Sequence, residues 1–273
     1  MSTPRESQRG LLAGAEQWAK NVIYFLLPFI LLGAVWEIVG RSGAVSATTL
    51  PLPSSILSSF LRMVNDGSLP HHLARSFYRL SIGYLLAVGI GIGTGLLLTL
   101  NRTLREMFSP VLSLLMSVPT IAWVPVLLII MGLGDKTVIT AVFLGGFFAI
   151  THNTMRGIEM IDKTLINAAR IMGVSGVKLF TTVYLPGSLA AVLTGMRLGI
   201  GYSWRALVGG EMLSAMIEWG IGKMIYQARF WNDVTVMFVG LMVIGFSGFL
   251  LDRIFLQSIE RATVQRWGML TER

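Results

Sequence analysis

No cysteine occurs in the 273 residues. That excludes structural disulfides, thiolate metal sites and cysteine nucleophiles. Charge is scarce as well. Charged residues make up 13% of the chain against 53% hydrophobic ones, which is too apolar for a soluble domain of this length. A phosphate loop is also missing, because Gly222-Lys223 is followed by Met224 and has no glycine five residues earlier. If the chain serves an ATP-driven process, another chain hydrolyses the ATP. The formal charge is +8, yet no basic run is interleaved with aromatics, which argues against a nucleic-acid partner. His71 and His72 are adjacent and point about 100° apart on a helix, so they do not chelate one metal.

What is present is a series of membrane-length apolar runs. They are Val22–Gly40, Leu80–Leu100, Phe108–Gly134, Thr137–Met155, Ser188–Gly210 and Val234–Leu251. The expected fold is therefore all-α and polytopic, with about six transmembrane helices. A secretory signal competes for the first run, because small residues follow at Ala44 to Ala47, but Glu37 and the run's length favour a retained helix. In the second run, Gly89, Gly91, Gly93 and Gly95 permit close helix approach. The third contains Ser117-Val118-Pro119 and Trp123-Val124-Pro125, and two prolines bend a spanning helix where it lines a cavity or packs on neighbours. The fifth carries Arg197 and Arg205, and a cation inside a span is a functional candidate by default. Before the second run, Ile56, Leu57, Phe60, Leu61 and Val64 recur at helical spacing. They define an amphipathic helix lying along the membrane surface or packed on the protein itself.

One polar stretch stands between the fourth and fifth runs. Asp162 is placed to cap a short helix, Lys163 to Met172, and Gly173 to end it in the left-handed conformation. Ser175 is placed to cap a second helix, which is expected to stop before Pro186. Ala168 and Ala169 leave one face of the first helix bare for close approach by another protein. The stretch reads as a helix-turn-helix knob outside the bilayer.

The order Asn167-Ala168-Ala169, three residues, Gly173, nine residues, then Val183-Tyr184-Leu185-Pro186 resembles the EAA loop of ABC-importer permeases. From about Leu50 onward the chain is similar to the branch that imports sulfonates, taurine, nitrate, bicarbonate and thiamine precursors. The family's glutamate is Asn167 here, so a salt bridge is replaced by at most a hydrogen bond. The resemblance implies a MetI-like permease fold. It assigns Asn167, Ala168, Ala169, Gly173, Leu185 and Pro186 to coupling with an ATP-binding subunit. It places Ser117, Pro119, Trp123, Pro125, Trp204, Arg205 and Glu211 along the substrate path or gate. It also implies two copies of the ATP-binding subunit, a second copy of this chain, a periplasmic binding protein and surrounding lipid. The chain itself would be no enzyme and hold no cofactor or metal, with ATP and Mg²⁺ bound by the partner.

The expected organisation is a cytoplasmic tail at 1–21, a first transmembrane helix at 22–40 and a periplasmic amphipathic segment at 41–79. A permease core follows at 80–256, with its cytoplasmic coupling loop at 159–187, and then a cytoplasmic tail at 257–273. Both termini inside puts three Lys and Arg in the first tail, two after the second run, four from Arg156 to Lys178 and four in the last tail on the cytoplasmic side. Seven fall outside, so this orientation obeys the positive-inside rule in the bacterial inner membrane. The alternatives are an ion-coupled secondary transporter or channel, for which Glu37 and His152 are the candidate groups, and a membrane enzyme. No paired carboxylate or nucleophile motif supports the enzyme.

Overall fold

The computed structural model describes residues 27–256 except 44, 47 and 215, together with 20, 23 and 24. The expected terminal tails and the start of the first run lie outside the described residues, apart from position 20. Every regular element among the described residues is helical. Residues 27–41 form α1. Then come α2 (Pro53–Asn65), α3 (Ser68–Leu100), α4 (Arg102–Ser117), a 3₁₀ turn (Thr120–Trp123), α5 (Val124–Met131), α6 (Asp135–Glu159), α7 (Lys163–Ile171), α8 (Gly176–Leu179), α9 (Leu185–Leu213), α10 (Ile221–Phe230) and α11 (Val234–Leu250).

Among the described residues, four stretches are long and apolar enough to cross a membrane: Ser68–Leu100, Asp135–Glu159, Gly176–Leu213 and Val234–Arg253. The third apolar run departs from the expected single kinked helix. Its two arms, α4 and Thr120–Met131, meet at 95°. Val118 is extended (φ −80°, ψ 121°) and Pro119 opens the next turn. Proline lacks the N–H to continue a helix and pushes the residue before it out of the helical region. Pro125 breaks nothing, because it stands in the first turn of α5, where no intrahelical donor is needed. The second run also starts earlier than expected, so that Arg79 lies inside α3 rather than in an extramembrane segment.

Pro186 does not end the helix before it. Helical structure runs unbroken from Gly176 to Leu213, because Phe180–Tyr184 widens into a π turn immediately before α9. A π turn spaces its hydrogen bonds one residue wider, which accommodates the missing Pro186 N–H.

The core is the packing of α3, α6 and α9, and it rests on small residues. Gly145 and Gly146 of α6 lie against Ser203, and Gly199 and Gly195 of α9 against Ile150 and Asn153. Gly83, Gly91 and Gly95 of α3 lie against Val142, Ile150 and Thr154 in rising order, so α3 and α6 run parallel. Lipid offers little hydrophobic drive between helices, so close backbone approach and dispersion hold such a bundle. Of the four glycines singled out in the second run, only Gly91 and Gly95 make this contact; Gly89 and Gly93 face open space.

At the bundle end remote from α7, Arg79 is 2% exposed and acts as a hub. Its Nε donates to Asp135 Oδ1 at 2.8 Å, and its Nη1 donates to Glu211 Oε1 and to the Trp219 carbonyl, both at 2.7 Å. Glu211 also accepts from Ser76 Oγ at 2.8 Å and from the Gly222 N–H at 3.0 Å. The Ile221 N–H donates to Ser76 Oγ, and His72 Nδ1 lies 2.9 Å from the Gly220 carbonyl. Four elements, together with Trp219 and Gly220, are thereby tied at one point. At the α1–α2 elbow, Glu37 accepts from the Ser54 N–H and hydroxyl and from Arg41. It thus supplies the N-terminal cap that Leu52 cannot provide.

The glycine contacts generate a prediction. A methyl at Gly83 would lie 2.6 Å from the Val142 side chain and 2.7 Å from the Ile139 carbonyl, whereas at Gly89 it would meet nothing within 4 Å. Thermal unfolding in detergent should show Gly83→Ala destabilised by about 1–3 kcal/mol, with Gly89→Ala unchanged or slightly stabilised.

The interhelical loop and the cavity beside Arg205

The polar stretch between α6 and α9 folds around a small core of its own: Ile161, Ala169, Leu179 and Val183. Asp162 caps α7 by accepting from the Thr164 N–H at 2.8 Å. That hydrogen bond holds the Asp162 carboxyl below its usual value of 3.8. The stabilisation is full above that value and is lost as pH falls through the lowered one. Gly173 (φ +80°) closes the helix. Its N–H donates to the Arg170 carbonyl and the Val174 N–H to the Ala169 carbonyl, the paired bonds of a Schellman end. Ser175 stands at the start of α8, but its side chain makes no capping bond.

The two alanines differ in exposure. Ala169 is buried in the loop's core, while Ala168 is exposed and faces a groove of about 370 Å³. Ala169 lines the same groove from its buried side, so both alanines border it. Pro186 and Gly187 line the same groove, Asn167 is exposed beside it, and Leu185 is exposed at the head of α9. The sequence reading missed the loop's outward apolar residues: Ile171 is 87% exposed, Val177 80% and Met172 75%. Apolar side chains this exposed on an extramembrane loop mark an interaction surface.

Further along the bundle, a cavity of about 380 Å³ opens beside Arg205. Met116 to Ile121 form one wall, and Gly145, Phe148, Ala149, Tyr202, Arg205 and Ala206 the other. Ser117, Pro119 and Arg205 are therefore brought together. The Arg205 guanidinium lies 5.8 Å from the Tyr202 ring centre, and no carboxylate pairs with it among the described residues. Trp123 turns instead toward Val124, Leu127 and Ala141, and Pro125 does not line this cavity. Trp204 and Glu211 stay outside it too. Trp204 is 6% exposed, packs on Phe77 and donates from its indole to the Ile244 carbonyl. Glu211 is 0% exposed within the Arg79 hub. Its nearness to Gly220 and Gly222 leaves no room there for a Cβ, which accounts for the glycines. Arg197, the other cation of this span, pairs with Asp252 at 3.0 Å.

Comparison with known proteins gives the class of this helical bundle. Residues 87–263 match the family model described as binding-protein-dependent transport system inner membrane component. The chain belongs to that family, and is a multi-pass inner-membrane permease subunit. It is 32% identical over 283 residues to the bicarbonate transport system permease protein CmpB of Synechococcus elongatus, covering 98% of each chain. It is 31% identical over 227 residues to the taurine transport system permease protein TauC of Escherichia coli, covering 81% of this chain and 82% of that one. The inward-facing MetNI methionine ABC transporter shares the fold, with a TM-score of 0.59 at 20% identity over 75% of this chain and 96% of the other.

The burial of Glu211 sets the next prediction. Glu211→Ala leaves the guanidinium of Arg79 buried with one carboxylate fewer and should cost about 3–5 kcal/mol of stability, read by denaturant unfolding in detergent. Arg205→Ala, at an exposed side chain, should leave stability within about 0.5 kcal/mol.

Proposed function

We propose that this chain, as one half of a dimeric permease, imports a small polar anion of the sulfonate, taurine, nitrate or bicarbonate type by alternating access. The observation that carries the reading is the continuity of helix from the loop to the cavity. Gly176–Leu213 begins in the loop, forms the Arg205 wall and ends at the Arg79 hub. A push on the loop is therefore a push on the cavity wall.

Two ATP-binding subunits hold ATP and Mg²⁺, and each seats on one loop through the Ala168 groove and the exposed Ile171, Met172 and Val177. The permease itself catalyses nothing. A periplasmic binding protein delivers the solute to the opposite face. The loop and both termini are cytoplasmic, as the distribution of Lys and Arg favours. ATP closes its own subunits, draws the two loops together and changes which side of the cavity is open. It drives this only through its differential affinity for the two states.

The second copy covers the Arg205 face. Arg205 and Tyr202 are exposed on the surface of a span, and an arginine facing hydrocarbon costs several kcal/mol. A partner helix across a water-lined path removes that cost. The relatives' bicarbonate and taurine names, and the lack of a carboxylate partner for Arg205 among the described residues, support an anionic cargo.

Reconstituted with its ATPase and binding protein, the Gly173→Val variant should insert and fold. It should hydrolyse ATP without driving uptake, because a β-branched residue at φ +80° strains the loop end by at least about 1 kcal/mol. Normal coupled uptake would contradict the role given to the loop. Arg205→Ala should lower anion uptake at least about tenfold, matching the loss of one charge-assisted hydrogen bond. Unchanged uptake would remove Arg205 from the path.

A further inference from the structure

A second cavity, of about 610 Å³, lies at the Arg79 end of the bundle and is separate from the one beside Arg205. Arg75, Arg79, Asp135, Lys136, Glu218 and Trp219 line it, with the Gly132–Gly134 turn between. Its volume is in the range of small-molecule sites.

Three features give it a chemistry. The first is Arg79 itself. Its side chain is nearly completely buried, and its hydrogen bonds run from Nε and Nη1 to Asp135, Glu211 and the Trp219 carbonyl. Nη2 takes part in none of them. That leaves two N–H donors on a guanidinium that is immobilised by its other contacts and borders the cavity. A donor held in this way loses little entropy on binding an acceptor. The second feature is the pair of exposed cations on the rim, Arg75 and Lys136. Arg75 lies 5.9 Å from the Tyr78 ring centre. Neither has a carboxylate partner among the described ion pairs. The third is the charge balance of the rim: Arg79 is already shared between Asp135 and Glu211, which leaves Arg75 and Lys136 against Glu218 alone.

We propose that this cavity binds a small singly charged oxyanion. Arg79 Nη2 is its fixed donor, and Arg75 and Lys136 are rim cations that draw it in. The choice of oxyanion rests on the anion cargo proposed above. The site would be the first station of that cargo on the permease, at the face opposite the loop and distinct from the Arg205 cavity.

The test uses the full-length chain in nanodiscs without ATPase or binding protein, so that it reads the site and not transport. Tryptophan fluorescence is followed as methanesulfonate replaces chloride at constant ionic strength, with Trp219 in the cavity wall as reporter. A saturable change is expected. It should vanish in Trp219→Phe, persist in Arg205→Gln, and need at least about tenfold more methanesulfonate in Arg75→Gln/Lys136→Gln. That double variant leaves the Arg79 hub intact, so misfolding does not explain its loss. No saturable change overturns the proposal, as does one indifferent to the double substitution or to Trp219→Phe, or one abolished by Arg205→Gln. Failure of anion uptake by the assembled transporter, with this titration intact, would refute the cargo assignment alone.

Discussion

A guanidinium taken out of water inside an apolar bundle must find acceptors or destabilise the fold, and the architecture here depends on how Arg79 is satisfied. Asp135 starts α6, Glu211 stands near the end of α9, and the Trp219 carbonyl belongs to the segment leading to α10. Breaking such a buried set by removing one member costs far more than the set adds relative to apolar packing. Its value here is positional. The helices that leave and enter the loop, α6 and α9, are both anchored on one side chain of α3 at their other ends.

Between those two points there is little slack. The α6–α9 contact is built on Gly145, Gly146, Gly157, Gly195 and Gly199. At about 1.5 Å per residue, the 25 residues of α6 carry the loop roughly 38 Å from the hub. The opposite wall of the Arg205 cavity is of another kind. It is the 95° junction between α4 and the 3₁₀ turn, and beyond α5 it is bounded by Gly132 and Gly134, both at positive φ. One side of the cavity is thus continuous with the loop and closely packed, and the other is segmented. That contrast is what a two-state opening requires.

Much of this was legible in the residues. Length and apolarity located the spans, and Asp162 and Gly173 marked both ends of the loop helix because capping is local chemistry. What stayed hidden was non-local. Arg79 follows a polar run, so it read as extramembrane, and its acids are 56 and 132 residues away in sequence. The family resemblance placed Trp204 and Glu211 near the path, and their burial depends on neighbours that no spacing reveals. The π turn that carries the helix through Pro186 has no sequence mark beyond the proline itself.

The most direct measurement is purification of the chain with whichever ATP-binding subunit its genetic neighbourhood encodes, as wild type and as Ala168→Arg. Ala168 lies in the loop groove and outside the loop's core, so the arginine should leave the fold intact and fill the seat. The account predicts a stable wild-type complex that the substitution abolishes. A complex that persists with Ala168→Arg, or none with the wild type, would contradict the assignment of the loop as the coupling element.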